Sequence, residues 1–197
     1  MKQSNQELRH RHSIRLSGYD YSQGGLYFIT ICTHERVLTF GNISDKKMIL
    51  SPCGETANKF WESIASHFNN VKLHEHIVMP NHIHGIVEIA GAINQGAINQ
   101  GAINRAPTAA AATTAATTAA VGGFAGTMNP MLCVNLSRII RWYKGRTTYE
   151  CRKMQLEFAW QRNYYEHIIR TEQDYVHIAQ YIKNNPAKWQ EDQFFTP

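Results

Sequence analysis

The chain has 197 residues, with 20 Lys or Arg against 15 Asp or Glu and a formal charge of +5. This length favours a single domain with room for an insertion, and the moderate basic excess suits a surface that binds a polyanion. The polar N-terminus and the lack of any apolar run long enough to cross a bilayer predict a cytoplasmic protein without a signal peptide or a membrane span.

The first half of the chain predicts a basic arm, a strand, a helix and a hairpin. Residues 1–24 form the arm, in which Arg15 is a candidate phosphate contact, and a solvated charged tail is the alternative. Residues 25–33 are aromatic or β-branched with alternating polar positions, which predicts the first strand. Ser51 and Pro52 start a helix whose apolar positions continue to Phe68. Residues 71–79 and 82–89 predict two strands that pair through a turn at 80–81.

A low-complexity segment then interrupts the pattern. Residues 91–105 repeat Gly-Ala-Ile-Asn three times, and residues 106–126 are almost wholly Ala, Thr and Gly. Such a composition buries too little apolar surface to offset the entropy of ordering, so we predict that 90–128 is a disordered insertion in a loop. An Ala-rich helix within 108–121 is the alternative.

The second half predicts a helix, a strand and a final helix. Apolar residues from Leu132 to Tyr143 mark a helix that ends near Gly145. Aromatic residues in 160–170 indicate a fourth strand, and Thr171 caps a helix that runs to about Asn184 and stops before Pro186. Residues 190–197 are expected to be a tail.

The order β-α-β-β-α-β plus a terminal helix predicts an α+β fold, a ferredoxin-like split β-α-β sandwich with an antiparallel sheet. Residues 25–189 then form one domain. The four cysteines, Cys32, Cys53, Cys133 and Cys151, contain no Cys-x-x-Cys pair, which argues against a zinc knuckle or a compact disulfide framework. We expect reduced thiols.

The candidate site combines a strand and the last helix. His82 and His84 are two apart, so their imidazoles share one face of a strand that we expect to be central. On the helix, His177, Tyr181 and Asn185 form one stripe at four-residue spacing. Two imidazoles and the Asn185 carboxamide oxygen suit a divalent ion such as Mg²⁺ or Mn²⁺ that also holds a phosphate oxygen. Tyr181 would then be the nucleophile.

Other residues are secondary candidates. The cationic ones could hold DNA phosphates or belong to a solvated face: Arg15, Arg138, Arg141, Lys144, Arg146 and Arg162. His177 is a candidate base, and His76 is a candidate accessory residue because it repeats the alternate spacing with His74. The rival nucleophiles are Tyr164, Tyr165 and Tyr175.

The chain resembles the HUH single-tyrosine transposases, closest to the REP-associated tyrosine transposases that carry an IS200-like transposase domain. The paired histidines correspond to His82 and His84, and the family's Tyr-Ile followed by Asn-Pro corresponds to residues 181–186. Insertion-sequence relatives carry Gln where this chain has Asn185, and the length of 90–128 departs from the pattern.

The resemblance implies a metal-dependent endonuclease and strand transferase. Tyr181 would attack a phosphodiester of single-stranded or hairpin DNA, leaving a 5′-phosphotyrosine and a free 3′-hydroxyl. The protein would be nucleoid-associated when bound to DNA, and a homodimer is left open. The alternatives are a noncatalytic binding module with a sheet like that of RNA-recognition domains and a hydrolytic metallonuclease in which water attacks.

Overall fold

The computed structural model describes residues 24–90 and 135–195. Its strands are β1 (Gly25–Cys32), β2 (Gly41–Ser44), β3 (Lys47–Leu50), β4 (Val71–Met79), β5 (His82–Ile89) and β6 (Tyr165–Ile169). Its helices are α1 (Pro52–Glu62), α2 (Ile64–His67), α3 (Leu136–Lys153) and α4 (Glu172–Asn184), and short 3₁₀ segments cover His34–Arg36 and Asn185–Glu191.

The main sheet has four strands in the spatial order β4-β5-β1-β6, and every neighbouring pair is antiparallel. This order confirms the predicted ferredoxin-like arrangement, in which β5 and β1 occupy the centre. Hairpin formation between β4 and β5 through residues 80–81 is also confirmed. The last strand is shorter than predicted, since β6 begins at Tyr165 and Trp160 makes only an isolated bridge to Thr33.

The two faces of the sheet are covered differently. On one face, Ile83 and Val87 of β5 join the larger core, to which α1 contributes Trp61 and α3 contributes Tyr143. On the other face, Ile86 packs with Ile182 of α4 in a smaller apolar cluster. Because strand side chains alternate, the face that carries Ile86 also carries His82 and His84. The histidines therefore lie under the helix that bears Tyr181.

Helix boundaries follow the capping residues. Ser51 Oγ accepts a hydrogen bond from Gly54 N at 3.1 Å, and Thr171 Oγ1 accepts one from Asp174 N at 3.1 Å, as expected for N-caps. Two predicted boundaries are wrong. The first helix breaks at Ser63 into α1 and α2, and α3 continues through Gly145 to Lys153. The β2–β3 hairpin was not predicted.

The expectation of reduced thiols is wrong for two of the cysteines. Cys53 of α1 and Cys151 of α3 form a disulfide, with Cα atoms 5.6 Å apart and 98 residues between them in sequence. Both are buried, and the bond joins the two helices that cover the larger core. Cys32 is a buried free thiol, and Cys133 lies outside the described residues.

An irregularity in β4 separates the two histidines of that strand. The pairing with β5 shifts between Leu73 and His76, which is the signature of a β-bulge. His74 consequently contacts Tyr175 of α4, whereas His76 lies on the opposite face, stacked on Trp61 and 3.1 Å from Asn58 Oδ1. His76 therefore faces away from His82 and His84, and the accessory role considered for it is not supported by its position.

Residues 1–23 of the N-terminal arm and residues 91–128 of the predicted insertion lie outside the described residues. The expected tail is partly described and folds back, with Asn81 Nδ2 donating to the Phe194 carbonyl at 2.8 Å. Within 24–90 and 135–195, none of the helices has the length and hydropathy of a membrane span.

Candidate active site

Two buried histidines form the floor of the site. His82 and His84 on β5 are at most 1% exposed, and their ring centroids are 4.4 Å apart. Each ring is held through its Nδ1 atom, which lies 2.8 Å from Asn81 Oδ1 for His82 and 2.8 Å from Thr30 Oγ1 for His84. The Nε2 atoms are left to face the site.

The hydrogen bonds of Asn81 determine the tautomer of His82. Asn81 Nδ2 donates to the carbonyls of Arg36 and Phe194, so Oδ1 is the acceptor that faces His82. The His82 Nδ1 atom must then carry the hydrogen, and Nε2 keeps its lone pair. That buried Nε2 has no hydrogen-bond partner among residues 24–90 and 135–195. A metal-binding histidine typically donates its other ring N–H to an oxygen acceptor in this way, which fixes its tautomer and its orientation.

Helix α4 places Tyr181 and Asn185 above the histidines. Tyr181 Oη lies 3.2 Å from His84 Nε2, and its ring packs against Phe28 with the centroids 6.2 Å apart. Asn185 follows one turn later and is 2% exposed. Its Oδ1 atom is buried and, in the described part of the chain, unpartnered. The predicted set of His82, His84, Tyr181 and Asn185 is therefore brought together.

Asp192 completes the cluster and was missed by the sequence analysis. Its Oδ2 atom accepts a hydrogen bond from Tyr181 Oη at 3.2 Å and one from Asn185 Nδ2 at 2.7 Å. One ligand atom each from His82, His84 and Asp192 lies within 4.8 Å of the other two. Nothing in the sequence singled out Asp192, because it stands in the polar C-terminal segment without a motif or a periodic neighbour.

The electrostatics favour neutral imidazoles and a protonated phenol. Burial, followed by the charge of Arg36, lowers the pKa of His82 to about 3. Burial and the neighbouring His82 hold the pKa of His84 well below its usual value, although Asp192 opposes this shift. Burial raises the pKa of Tyr181 to about 12, with further contributions from the charge and hydrogen bond of Asp192. Neutral imidazoles present lone pairs, as a metal ion requires.

The side chains of the cluster have the chemistry of a divalent-cation site. Two buried atoms, His82 Nε2 and Asn185 Oδ1, have no partner among the described residues, and leaving such groups unsatisfied costs about 1–3 kcal/mol each. Two imidazole nitrogens, one carboxamide oxygen and one carboxylate oxygen are ligand types that divalent metals accept. The chemistry of these donors therefore suits a divalent cation, with His82, His84 and Asp192 close enough to share it.

A cavity of about 950 Å³ opens above the cluster, and we call it the site cavity. Tyr165 of β6 lines one part of it, while Tyr181 and Phe194 line another. His177 also lines the cavity, but the hydroxyl of Tyr181 is hydrogen-bonded to His84 and Asp192 and not to His177. The position of His177 therefore gives no support to its role as the base.

The other predicted tyrosines lie in different surroundings. Tyr175 donates to Glu75 Oε2 at 2.8 Å and lies 3.2 Å from His74 Nδ1, outside the lining of the site cavity. Tyr164 packs against the larger core on the opposite face of the sheet. Of the rival nucleophiles, Tyr165 alone lines the site cavity.

The predicted DNA-binding cations do not surround the cluster. Four of them, Arg138, Arg141, Lys144 and Arg146, belong to α3, which packs on the sheet face opposite to α4. Lys144 Nζ donates to the carbonyl of Gln161 at 2.8 Å, and Arg146 pairs with Glu150 at 3.6 Å. Arg162 is exposed in the loop before β6, and Arg15 lies outside the described residues. Arg36, which was not predicted, is nearer, with its guanidinium 5.2 Å from the Phe194 ring.

Comparison with known proteins identifies similar proteins both in sequence and in fold. The chain is 36% identical over 192 residues to an uncharacterized protein of Haemophilus influenzae, an alignment that covers 97% of this chain and 96% of the relative. No family model matches the chain.

The fold is similar to that of a REP-associated tyrosine transposase solved in complex with a REP hairpin. The TM-score is 0.53 at 19% sequence identity, and the match covers 88% of this chain and 74% of the other. At this identity the likeness establishes a shared, transposase-like fold.

Proposed function

We propose that this chain is a metal-dependent single-strand DNA nuclease and strand transferase. The chain belongs to one family with the uncharacterized Haemophilus influenzae protein and has a transposase-like fold. The observation that carries the proposal is the Tyr181 hydroxyl, which lies 3.2 Å from both His84 Nε2 and Asp192 Oδ2. A nucleophile beside a base and a set of metal ligands is the arrangement that phosphoryl transfer to a side chain requires.

The substrate in this proposal is single-stranded DNA that folds into a hairpin. The protein of similar fold is described as bound to a REP hairpin. The histidine and tyrosine motifs of this chain resemble those of that class. The site cavity, at about 950 Å³, has room for a nucleotide next to Tyr181. The basic residues of α3 would bind DNA only along a path that reaches the other side of the sheet.

The reaction is an exchange of one phosphodiester for another. Tyr181 Oη forms a bond to phosphorus while the bond from phosphorus to the 3′ oxygen breaks, which leaves a 5′-phosphotyrosine and a 3′-hydroxyl. Asp192 Oδ2 already accepts the Tyr181 hydrogen bond, so it is placed to receive the phenolic proton. The bond energy is retained in the phosphotyrosine, and a 3′-hydroxyl attacking it restores a DNA strand.

The residues that would hold Mg²⁺ or Mn²⁺ are His82 and His84 through Nε2, Asn185 through Oδ1, and Asp192. When bound, a divalent cation supplies positive charge that stabilises the phenolate and the charge developing on the phosphate. The protein orients these donors through Thr30 and Asn81, which hold the two imidazole rings. All of these donors come from one chain.

The experiment is covalent trapping on hairpin oligonucleotides labelled at either end, with Mn²⁺, analysed on denaturing gels. The 3′-labelled fragment should stay with the protein and the 5′-labelled fragment should run free. Tyr181→Phe should abolish cleavage while keeping DNA binding. Tyr175→Phe is the matched control and should cleave normally, because its hydroxyl is engaged by Glu75 outside the site cavity.

Other results would favour the alternatives. Cleavage without a covalent adduct would indicate a hydrolytic metallonuclease. Hairpin binding without cleavage under any divalent ion would indicate a noncatalytic binding module. Cleavage by Tyr181→Phe at the wild-type rate would contradict the proposed nucleophile.

A further inference from the structure

The site cavity extends beyond the proposed reacting groups, to an aromatic residue that they do not use. We propose that Tyr165, with the carboxamides of Gln180 and Asn184, forms a subsite for the nucleobase next to the scissile phosphate. This inference rests on the proposed function, since it needs a DNA strand in the cavity. The subsite would bind the base by stacking and contact its edge with the amides.

Tyr165 is placed for stacking by the sheet register. It pairs with Thr30 of β1, and Thr30 pairs with His84 of β5, so the three side chains share a row on the α4 face. Two strand spacings separate Tyr165 from His84, which is roughly 9–10 Å. A base on Tyr165 would therefore belong to a nucleotide close to a phosphate at Tyr181.

The ring of Tyr165 is held but remains open to the cavity. It makes an edge contact with Phe28, with centroids 6.4 Å apart and planes at 71°. The residue is 53% exposed and lines the site cavity. Its hydroxyl has no hydrogen bond to any residue in 24–90 or 135–195, so no polar network of the described residues accounts for its position. Exposed aromatics on a sheet face are the common means of stacking single-stranded bases.

The facing side of the cavity supplies amides. Gln180 and Asn184 are four residues apart on α4, so they point in one direction, and both line the site cavity. Each carboxamide offers a donor and an acceptor, the combination that reads a base edge and suits adenine in particular. The same geometry argues against Tyr165 as a second nucleophile, because no described carboxylate or imidazole is hydrogen-bonded to its hydroxyl.

The test measures binding of hairpin oligonucleotides in a Tyr181→Phe background, which removes covalent capture. An abasic analogue is placed at each single-stranded position in turn. Tyr165→Thr removes the ring but keeps a hydroxyl and a residue type that is favoured in strands. It should weaken binding about 5- to 150-fold, the range for loss of one stacked base. Tyr165→Phe should bind like the parent. At one position, the abasic analogue should lower the affinity of the parent protein by a similar factor. The same analogue should not lower the affinity of Tyr165→Thr any further.

The control is Tyr149→Ala on α3, a similarly exposed tyrosine on the other side of the sheet. Any effect of this variant should be the same at every abasic position. The inference is overturned if Tyr165→Thr binds the hairpin as tightly as the parent does. It is also overturned if the ratio of parent to Tyr165→Thr affinity stays the same on every abasic hairpin. Absence of hairpin binding by the Tyr181→Phe protein itself would overturn the proposed function as well, which distinguishes the two failures.

Discussion

Gly85 follows His84 directly, and adding a methyl group there tests which face of β5 carries the histidines. A Cβ atom at Gly85 would lie 2.2 Å from Cζ2 and 2.8 Å from Cε2 of Trp61. Trp61 is fully buried, and its ring packs edge-on against Tyr143 with centroids 5.2 Å apart, so it has no free space to move into. Gly85→Ala should therefore cost about 1–3 kcal/mol, the usual range for overpacking.

The matched control is Gly145→Ala. Gly145 lies in the interior of α3, and a Cβ there meets nothing within 4 Å. Alanine should stabilise the helix by about 0.5–1 kcal/mol, because it loses less backbone entropy than glycine on folding. The same substitution is thus expected to change the free energy of unfolding in opposite directions at the two positions.

Urea and thermal unfolding measure both effects. For a chain of this size, about 1 kcal/mol shifts the melting temperature by roughly 2–4 °C. The melting temperature of Gly85→Ala should be roughly 2–12 °C below that of the wild type, and that of Gly145→Ala should be roughly 1–4 °C above it. Gly85→Ala should also weaken Mn²⁺ binding, since the strand that carries His84 must shift. If Gly85→Ala unfolds like the wild type, β5 does not pack on Trp61, and the assignment of the histidines to the α4 face is refuted.

Three further predictions concern the metal, the DNA and the insertion. Asp192→Asn should weaken Mn²⁺ binding, measured by titration calorimetry, at least about 10-fold, since losing even a residue that only supports a ligand costs about 10- to 100-fold. The exposed Glu157→Gln should not change the affinity. Equal affinities of Asp192→Asn and the wild type would exclude Asp192 as a ligand. Arg36 lies beside Phe194, at the edge of the site cavity. Arg36→Ala should weaken hairpin binding and reduce the slope of the logarithm of the binding constant against the logarithm of the salt concentration by about 1. An unchanged slope would show that Arg36 contacts no phosphate. Replacing residues 91–128 with a short Gly-Ser linker should leave the melting temperature unchanged, and a large drop would show that the segment is structural.

Local patterns in the sequence determined most of the elements. Strand alternation and helical spacing depend only on neighbouring residues, so the main strands and the caps Ser51 and Thr171 could be predicted. The same periodicities placed His82 with His84 on one face and Tyr181 with Asn185 on another, and the split β-α-β order brought the two faces together. The candidate nucleophile Tyr181 and three of the four candidate metal donors could therefore be proposed from the sequence alone.

Tertiary structure decided what depends on contacts between distant segments. Asp192 joins the site because the C-terminal segment folds back across Asn81, and Cys53 meets Cys151 because α1 and α3 pack side by side. His76 lies on the face opposite to the site because a bulge in β4 reverses the alternation that the sequence suggested. Helix α3 passes through Gly145 because packing on the larger core outweighs the roughly 1 kcal/mol preference against glycine. Local spacing cannot encode these outcomes, since each is fixed by a partner far away in the chain.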